Sequence, residues 1–478
     1  MPTAVPEPLT QALARLLHAT PAAGVGVTAV VKAPVRTRAA LHLLDWSACA
    51  AYGASTRTGR HFGQWWSGSA QTAQDHALLL GALGNVLEMD DVHRGAILHP
   101  GPVVIPAALA CAAACGASSA ALLDAIVRGY EAMIRVGLAL GPAHYRHWHK
   151  TGTCGPFGAA AACASLLGLD LQQTAHALAL AGSRTGGLWQ VRHEDSMGKS
   201  WHNADAARAG WQAAALAQAG VTGPLRVLEG ESGLFAATSP DALPQAVSTP
   251  APEWKIVEVS FKPWPACRHA HAAMDALLAL REAHPFDAAS LVSIKVDTYA
   301  DAVRFCDNPQ PQTEIGARFS LQHALAMIVL HGRPQLLHFG APHLTDGGVA
   351  ALRQRVQVTP SARFEQSYPQ HFGARVQVQL RDGSTIEQIC ADAWGDPEWP
   401  LAAADVADKA RMLCHAAGHA DAAVDTLLAA CAGLARCGND GGSGDSSDSG
   451  MQALQRALNG IGLSRASAVA QHGRTHTI

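Results

Sequence analysis

The period of the hydrophobic pattern changes twice along the chain. Up to about Trp254, apolar residues recur at helical spacing in Ala-rich runs. Leu122, Ile126, Gly129 and Met133 line one face, with Leu123, Val127, Tyr130 and Ile134 beside them. Ser118 or Ser119 stands where that helix needs a cap. The runs 156–167, 172–181 and 204–220 continue the pattern with small side chains, which predicts closely approaching helices. Past Trp254 the pattern alternates. KIVEVSF (255–261) has strand composition before Pro263 and Pro265 interrupt it. LVSIKVDTY (291–299), LRQRVQVTP (352–360), ARVQVQL (374–380) and STIEQIC (384–390) read as half-buried strands. Arg381, Asp382 and Gly383 mark a hairpin between the last two. Helical stretches are expected at 270–283 and 320–331 within this region.

Helical periodicity returns after Pro397, at 405–417 and 421–437. The Gly/Ser/Asp run 438–450 reads as a flexible, disordered linker. A short helix is expected at 451–459, and the tail HGRTHTI reads as unstructured. The predicted fold class is mostly α with an inserted α+β domain. Residues 1–258 and 396–478 form the helical domain, and 259–395 form the α+β lid.

The chain has 478 residues, half of them apolar and 15% charged, enough for a large core in two domains. Its formal charge of −3, with scattered basic residues, argues against a nucleic-acid partner. Eleven cysteines form no C-x-x-C pair, which fits a reduced cytoplasmic protein better than a disulfide framework. The N-terminus lacks a basic start followed by an apolar signal core. The uncharged run 100–123 is long enough to span a bilayer, but Pro100, Pro102 and Pro106 interrupt it. It reads as a buried helix, and no membrane partner is expected.

Four segments concentrate polar residues in this low-charge chain. The first, LEMDDVHRGAILHPG (87–101), carries Glu88, Asp90, Asp91, His93 and His99, the residue types of proton transfer. A polar loop whose acids cap a helix is the plainer reading. The second, HYRHWHKTGTCGPFG (144–158), places His149 at a helix start suited to an anion. His144, His147 and His149 suggest a metal, but their spacing has no strong precedent, so no metal site is assigned. The third, RHEDSMGKSWHNADAARAG (192–210), sets Lys199 and His202 three apart. The fourth, FKPWPACRHAHAAMDALL (261–278), has Lys262 at a Pro-punctuated turn before Arg268, His269 and His271. Surface polarity alone would account for the last two.

In this order, and together with RAALHLLDWSACAAYGA (38–54), DAIVRGYEAMIRVG (124–137), ARFSLQHALA (317–326) and GDPEWPL (395–401), these segments resemble the MmgE/PrpD family. That family includes 2-methylcitrate dehydratase and cis-aconitate decarboxylase. The resemblance covers roughly 30–425. It implies a helical domain with an α+β lid, a homodimer, a small carboxylate substrate, and neither metal nor organic cofactor. It also implies an active site between the domains. By motif position His99, His149, Lys199 and Lys262 match the family's catalytic residues, and Asp90 and Asp91 its acid pair. His202, Arg318 and His323 join the substrate-binding set.

A proton alpha to a carboxylate is weakly acidic, and its removal develops negative charge on the carboxylate oxygens. Lys199 and Lys262 can stabilise that charge, while His99 or His149 takes the proton. Such chemistry serves a dehydratase or decarboxylase first, and an isomerase or epimerase second. A non-catalytic metabolite-binding protein is the alternative from another class, and a metal-dependent hydratase stands last. Three positions depart from the family pattern: Val92 where Thr is common, Glu88 where Asp is frequent, and His323 where Tyr is frequent. An imidazole there could add an acid/base, which would favour the isomerase.

Overall fold

The computed structural model describes residues 6–18, 30–194, 196–437 and 445–463. The chain divides into two compact units. Unit 1 comprises 1–86, 90–259 and 402–478, and unit 2 comprises 87–89 and 260–401.

Unit 1 is helical. Its main described helices are α1 (Leu9–His18), α2 (Ala33–Ser55), α3 (Ala73–Leu83), α4 (Gly101–Cys115), α5 (Ser119–Ala139), α6 (Lys150–Leu166), α7 (Gly198–Gln218), α10 (Ala403–Ala416), α11 (Asp421–Cys437) and α12 (Asp445–Gly460). In α4 and α6 the apolar residues run all round the helix, so both are interior. Pro102 sits in the first turn of α4, where a missing N–H is harmless, and Gly116 closes the helix at φ +66°. Among the described residues, no helix is long and apolar enough to cross a membrane.

Small residues let α5 and α6 come very close. A Cβ on Gly129 would lie 2.4 Å from Val104 Cγ1 and 2.9 Å from the Gly158 carbonyl oxygen. A Cβ on Gly158 would lie 2.7 Å from Met133 Cβ and 2.9 Å from the Gly129 carbonyl oxygen. The obstacles at Gly158 include a backbone carbonyl and the Cβ of Met133, neither of which can swing aside like the far end of a side chain. Gly158→Ala is expected to lower stability by about 1–3 kcal/mol. A urea titration followed by far-UV circular dichroism checks this, and an unchanged midpoint would contradict the close approach.

The C-terminal helices complete the same unit. Helix α10 packs on α2. At that contact Lys409 Nζ lies 2.6 Å from Asp45 Oδ1, with both side chains buried.

Unit 2 is built on one sheet in the order β2-β1-β3-β4. Its strands are β1 (Leu291–Thr298), β2 (Val356–Pro360), β3 (Ala374–Leu380) and β4 (Thr385–Cys390). β1 pairs parallel to β2 and antiparallel to β3, and β3 pairs antiparallel to β4. The turn at 381–383 closes the β3–β4 hairpin, with Gly383 at φ +89° donating its N–H to the Leu380 carbonyl. Helix α8 (Arg268–Ala283) packs on β3, β4 and α9 (Leu321–His331). Ile294, Val296, Val376 and Val378 join Leu277, Leu325 and Ile328 in its core.

Two expectations about elements need correction. KIVEVSF is not a strand. Lys255–Glu258 forms a 3-10 turn, and Phe261 spends its amide on the Gly395 carbonyl, 3.0 Å away. β-Branched composition alone does not make a strand when no neighbouring strand supplies a ladder. The expected 438–450 linker is partly helical. Residues 438–444 and the tail 472–478 lie outside the described residues, but helix α12 begins at Asp445, ahead of the expected 451.

Candidate functional site

The 87–101 segment enters α4 through a constrained turn. His93 and Leu98 form an isolated antiparallel bridge, and Ile97 sits at φ +54°. A β-branched residue in the left-handed region costs about 1–3 kcal/mol. Glu88 also has positive φ, +57°. These two unfavourable residues flank Asp90 in sequence, and Ile97 stands two residues before His99. His99 Nδ1 lies 2.8 Å from Asp90 Oδ2 and 3.0 Å from the Asp91 carbonyl oxygen. Both partners are acceptors, so Nδ1 carries a proton toward them. Asn85 Nδ2 donates to Asp90 Oδ1 at 2.5 Å, and the His99 amide donates to Thr151 Oγ1 at 3.1 Å. The Asp91 carbonyl and the Asp90 carboxylate therefore hold the Nδ1 side of the His99 ring.

Asp91 has a different place from the one expected for a substrate ligand. Its Oδ1 accepts from the Gly101 N–H at 2.9 Å and its Oδ2 from the Tyr130 hydroxyl at 2.6 Å. His42 Nδ1 is 2.7 Å from the same Oδ2. The buried carboxylate is occupied in holding the start of α4 against α2 and α5. Burial pushes the His42 pKa down to about 4, so this imidazole is neutral beside Asp91.

His149 is the residue most clearly set up for chemistry. It stands at the start of α6, with its amide donating to the Gly187 carbonyl at 2.7 Å. Its ring is buried against Trp189, with centroids 4.6 Å apart. His149 Nδ1 and His202 Nδ1 are 3.2 Å apart, so one donates to the other. Among the described residues, no protein atom hydrogen-bonds His149 Nε2. Burial holds its pKa well below the ordinary value, and the charges of Lys199, His202 and His99 push it the same way. His202 is lowered too, by burial and then by Lys199. Lys199 and His202 both lie on the first turns of α7, where the expected spacing brings them to one region. Unit 1 thus gathers Asp90, His99, His149, Lys199 and His202.

The remaining expected residues belong to unit 2. Lys262 is fully buried, with Nζ 3.7 Å from Glu88 Oε2. Arg318, expected at a substrate carboxylate, is buried and donates from Nη1 to the carbonyls of Leu87 (3.4 Å) and Pro265 (3.5 Å). His323, expected at the substrate, is held inside unit 2. It is buried in α9, Nε2 lies 2.9 Å from the His338 carbonyl oxygen, and Nδ1 lies 3.3 Å from Arg353 Nη1. Both ring nitrogens are engaged inside the fold, and burial lowers its pKa to about 4. A cleft of unit 2 lined by Pro309, Gln312, Leu344 and Arg353 contains none of the expected site residues. His144, of the 144–149 histidine run, is bonded to Thr238 (2.8 Å) and Thr153 (3.1 Å), whereas His149 turns to His202.

Comparison with known proteins matches the MmgE/PrpD N-terminal domain over residues 19–246 and the MmgE/PrpD C-terminal domain over 264–434. The chain belongs to the MmgE/PrpD family. A cis-aconitate decarboxylase-like protein of Aspergillus oryzae is 29% identical over 367 residues, 71% of this chain and 75% of that protein. Mouse cis-aconitate decarboxylase is 26% identical over 56% of this chain and 57% of its own length. The mitochondrial 2-methylcitrate dehydratase of Yarrowia lipolytica is 24% identical over 56% of this chain and 53% of its own length. The chain thus aligns with little more than half of these last two relatives.

Membership in the MmgE/PrpD family does not by itself pick out several residues that build the unit 1 cluster. Asn85, Thr151 and Trp189 position Asp90, His99 and His149. Thr151 had a signal in the T-G-T run, and Trp189 in being an aromatic within a polar loop. His42 and Asp45 had the plainest signal, as polar residues within the apolar RAALHLLDW helix.

Proposed function

We propose that this chain is a cofactor-independent lyase, a dehydratase or decarboxylase, acting on a small di- or tricarboxylate. The observation that carries the proposal is His149: a buried, uncharged imidazole whose Nε2 has no protein partner among the described residues, beside the charge of Lys199 and the Asp90–His99 pair. A buried polar nitrogen without a protein partner is costly, and a ligand can supply the missing bond.

In the dehydratase branch His99 Nε2 accepts the alpha proton, and Asp90 stabilises the imidazolium that forms; in the decarboxylase branch an imidazolium gives its proton to carbon. Lys199 stabilises charge developing on the substrate carboxylate, and Lys262 is the second cation assigned to that task. His149 exchanges a proton or hydrogen bond with the departing or newly formed group. In dehydration the C–O bond breaks and hydroxyl leaves as water with the acid's proton. In decarboxylation the C–C bond breaks, carbon dioxide leaves, and the electron pair left on carbon takes a proton. The names of the relatives, a decarboxylase and a dehydratase, support both branches. The isomerase reading leaned on His323 as an added base, and the engaged nitrogens of His323 withdraw that support.

The test is proton NMR of the chelator-treated enzyme in heavy water with citrate, 2-methylcitrate, cis-aconitate and amino-dicarboxylates. A new alkene with loss of water, or release of carbon dioxide, is the expected result. Deuterium entering an alpha position with no other change would replace the lyase by an isomerase. Activity lost with the chelator and restored by a divalent cation would defeat the cofactor-independent assignment.

A further inference from the structure

We infer a binding site for a zinc-class divalent cation in unit 2, formed by His371, Asp392 and Glu398. One ligand atom from each of the three side chains lies within 4.8 Å of the other two. They comprise one imidazole and two carboxylates. Such a set suits zinc and its first-row neighbours better than calcium or magnesium, which favour all-oxygen shells. Three protein ligands leave further coordination positions to water.

Each ligand sits next to an anchored backbone. The β3–β4 ladder pairs Ala374 with Cys390, so His371 and Asp392 flank the same end of the hairpin. Beside His371, the Phe372 ring stacks on His269 with centroids 5.1 Å apart, and the Gly373 carbonyl accepts from Thr298 Oγ1 at 3.0 Å. Asp392 lies two residues past the end of β4, and its carbonyl takes the Cys390 thiol at 3.2 Å. Glu398 lies in the turn closed by the Asp396–Trp399 bridge. That turn is fixed by buried Asp396, which bonds Ser260 Oγ, the Ala393 N–H and Arg268. The site needs little reorganisation to accept an ion.

His371 Nδ1 and Asp392 Oδ1 already meet at 2.7 Å. The proton they share gives way to the cation, and Glu398 closes the third side. Ligation requires the neutral imidazole, so affinity falls on acidification. No residue assigned to the carboxylate chemistry takes part, so this site stands or falls separately from the proposed activity.

The experiment is calorimetric titration of untagged, chelator-treated full-length protein with zinc chloride alone. The chain has 24 histidines, so the comparison is between variants. His371→Ala and Glu398→Gln are each expected to lose one bound equivalent seen in the wild type. Both residues are partly or fully exposed, so the variants should keep the wild-type melting temperature without metal. Zinc should raise the melting temperature of the wild type more than that of either variant. If either variant binds as many equivalents as the wild type, the site is overturned.

Discussion

Replacing His149 with alanine is expected to reduce kcat by about two to four orders of magnitude while the helical fold survives. The expectation rests on one ring. Its Nδ1 is committed to His202, its face to Trp189, and its Nε2 to no protein atom among the described residues. A substitution that removes it deletes the group left available for a reacting molecule. His149→Gln should recover little turnover, because an amide can hydrogen-bond but cannot exchange a proton near neutral pH. Steady-state rates on whichever carboxylate the NMR panel identifies, together with circular dichroism, give the result. Turnover within a few-fold of wild type would remove His149 from the chemistry.

The electrostatics of the same ring can be read without any substrate. Burial and neighbouring positive charge hold His149 in its neutral form below its ordinary titration range. Lys199→Met removes the cation that contributes most after burial, so the His149 pKa should rise. Titration of labelled histidine by NMR would show the midpoint moving to higher pH. A midpoint unchanged by the loss of Lys199 would mean that the two residues do not share a site.

The sequence made the order of helices and strands legible because the hydrophobic period changes where the fold changes. Four of the five expected strands form, and the hairpin sits where Asp382-Gly383 demands it. KIVEVSF failed because strand formation depends on a partner, which composition does not report. The candidate residues divide in the same way. Asp90, His99, His149, Lys199 and His202 stand in motifs with local signals, and unit 1 brings them together. Asp91 and His323 look equally chemical in sequence, yet Asp91 is spent on internal bonds to Gly101 and Tyr130, and His323 on His338 and Arg353. Residue type shows that a side chain can bind a ligand. Only the folded chain shows whether another part of the protein has already taken it.

Lys409→Met is expected to destabilise unit 1 by about 3–5 kcal/mol at pH 8, through the carboxylate it leaves behind. Asp45 is 2% exposed and Lys409 6%, so neither charge is solvated. Asp45 also feels the negative charges of Asp91 and Asp90. Burial pushes its pKa up to about 6 even with the ammonium in place, while the nearby carboxylate raises the pKa of Lys409. At pH 8 the wild-type pair is therefore ionised on both sides. Methionine fills the space of the lysine stem but leaves Asp45 buried, charged and unpaired. The folded pKa of Asp45 then rises further above its unfolded value near 3.8. A raised carboxyl pKa means that the folded state holds the proton more tightly, so its penalty is present above that pKa and fades as pH falls through it. The variant should consequently lose much more stability relative to wild type at pH 8 than at pH 5, where Asp45 is largely protonated in both proteins. Adding Asp45→Asn to Lys409→Met should recover part of the loss at pH 8. Urea midpoints measured by far-UV circular dichroism at the two pH values decide it. An equal loss at both would place the cost in packing between α2 and α10 and not in the buried charge.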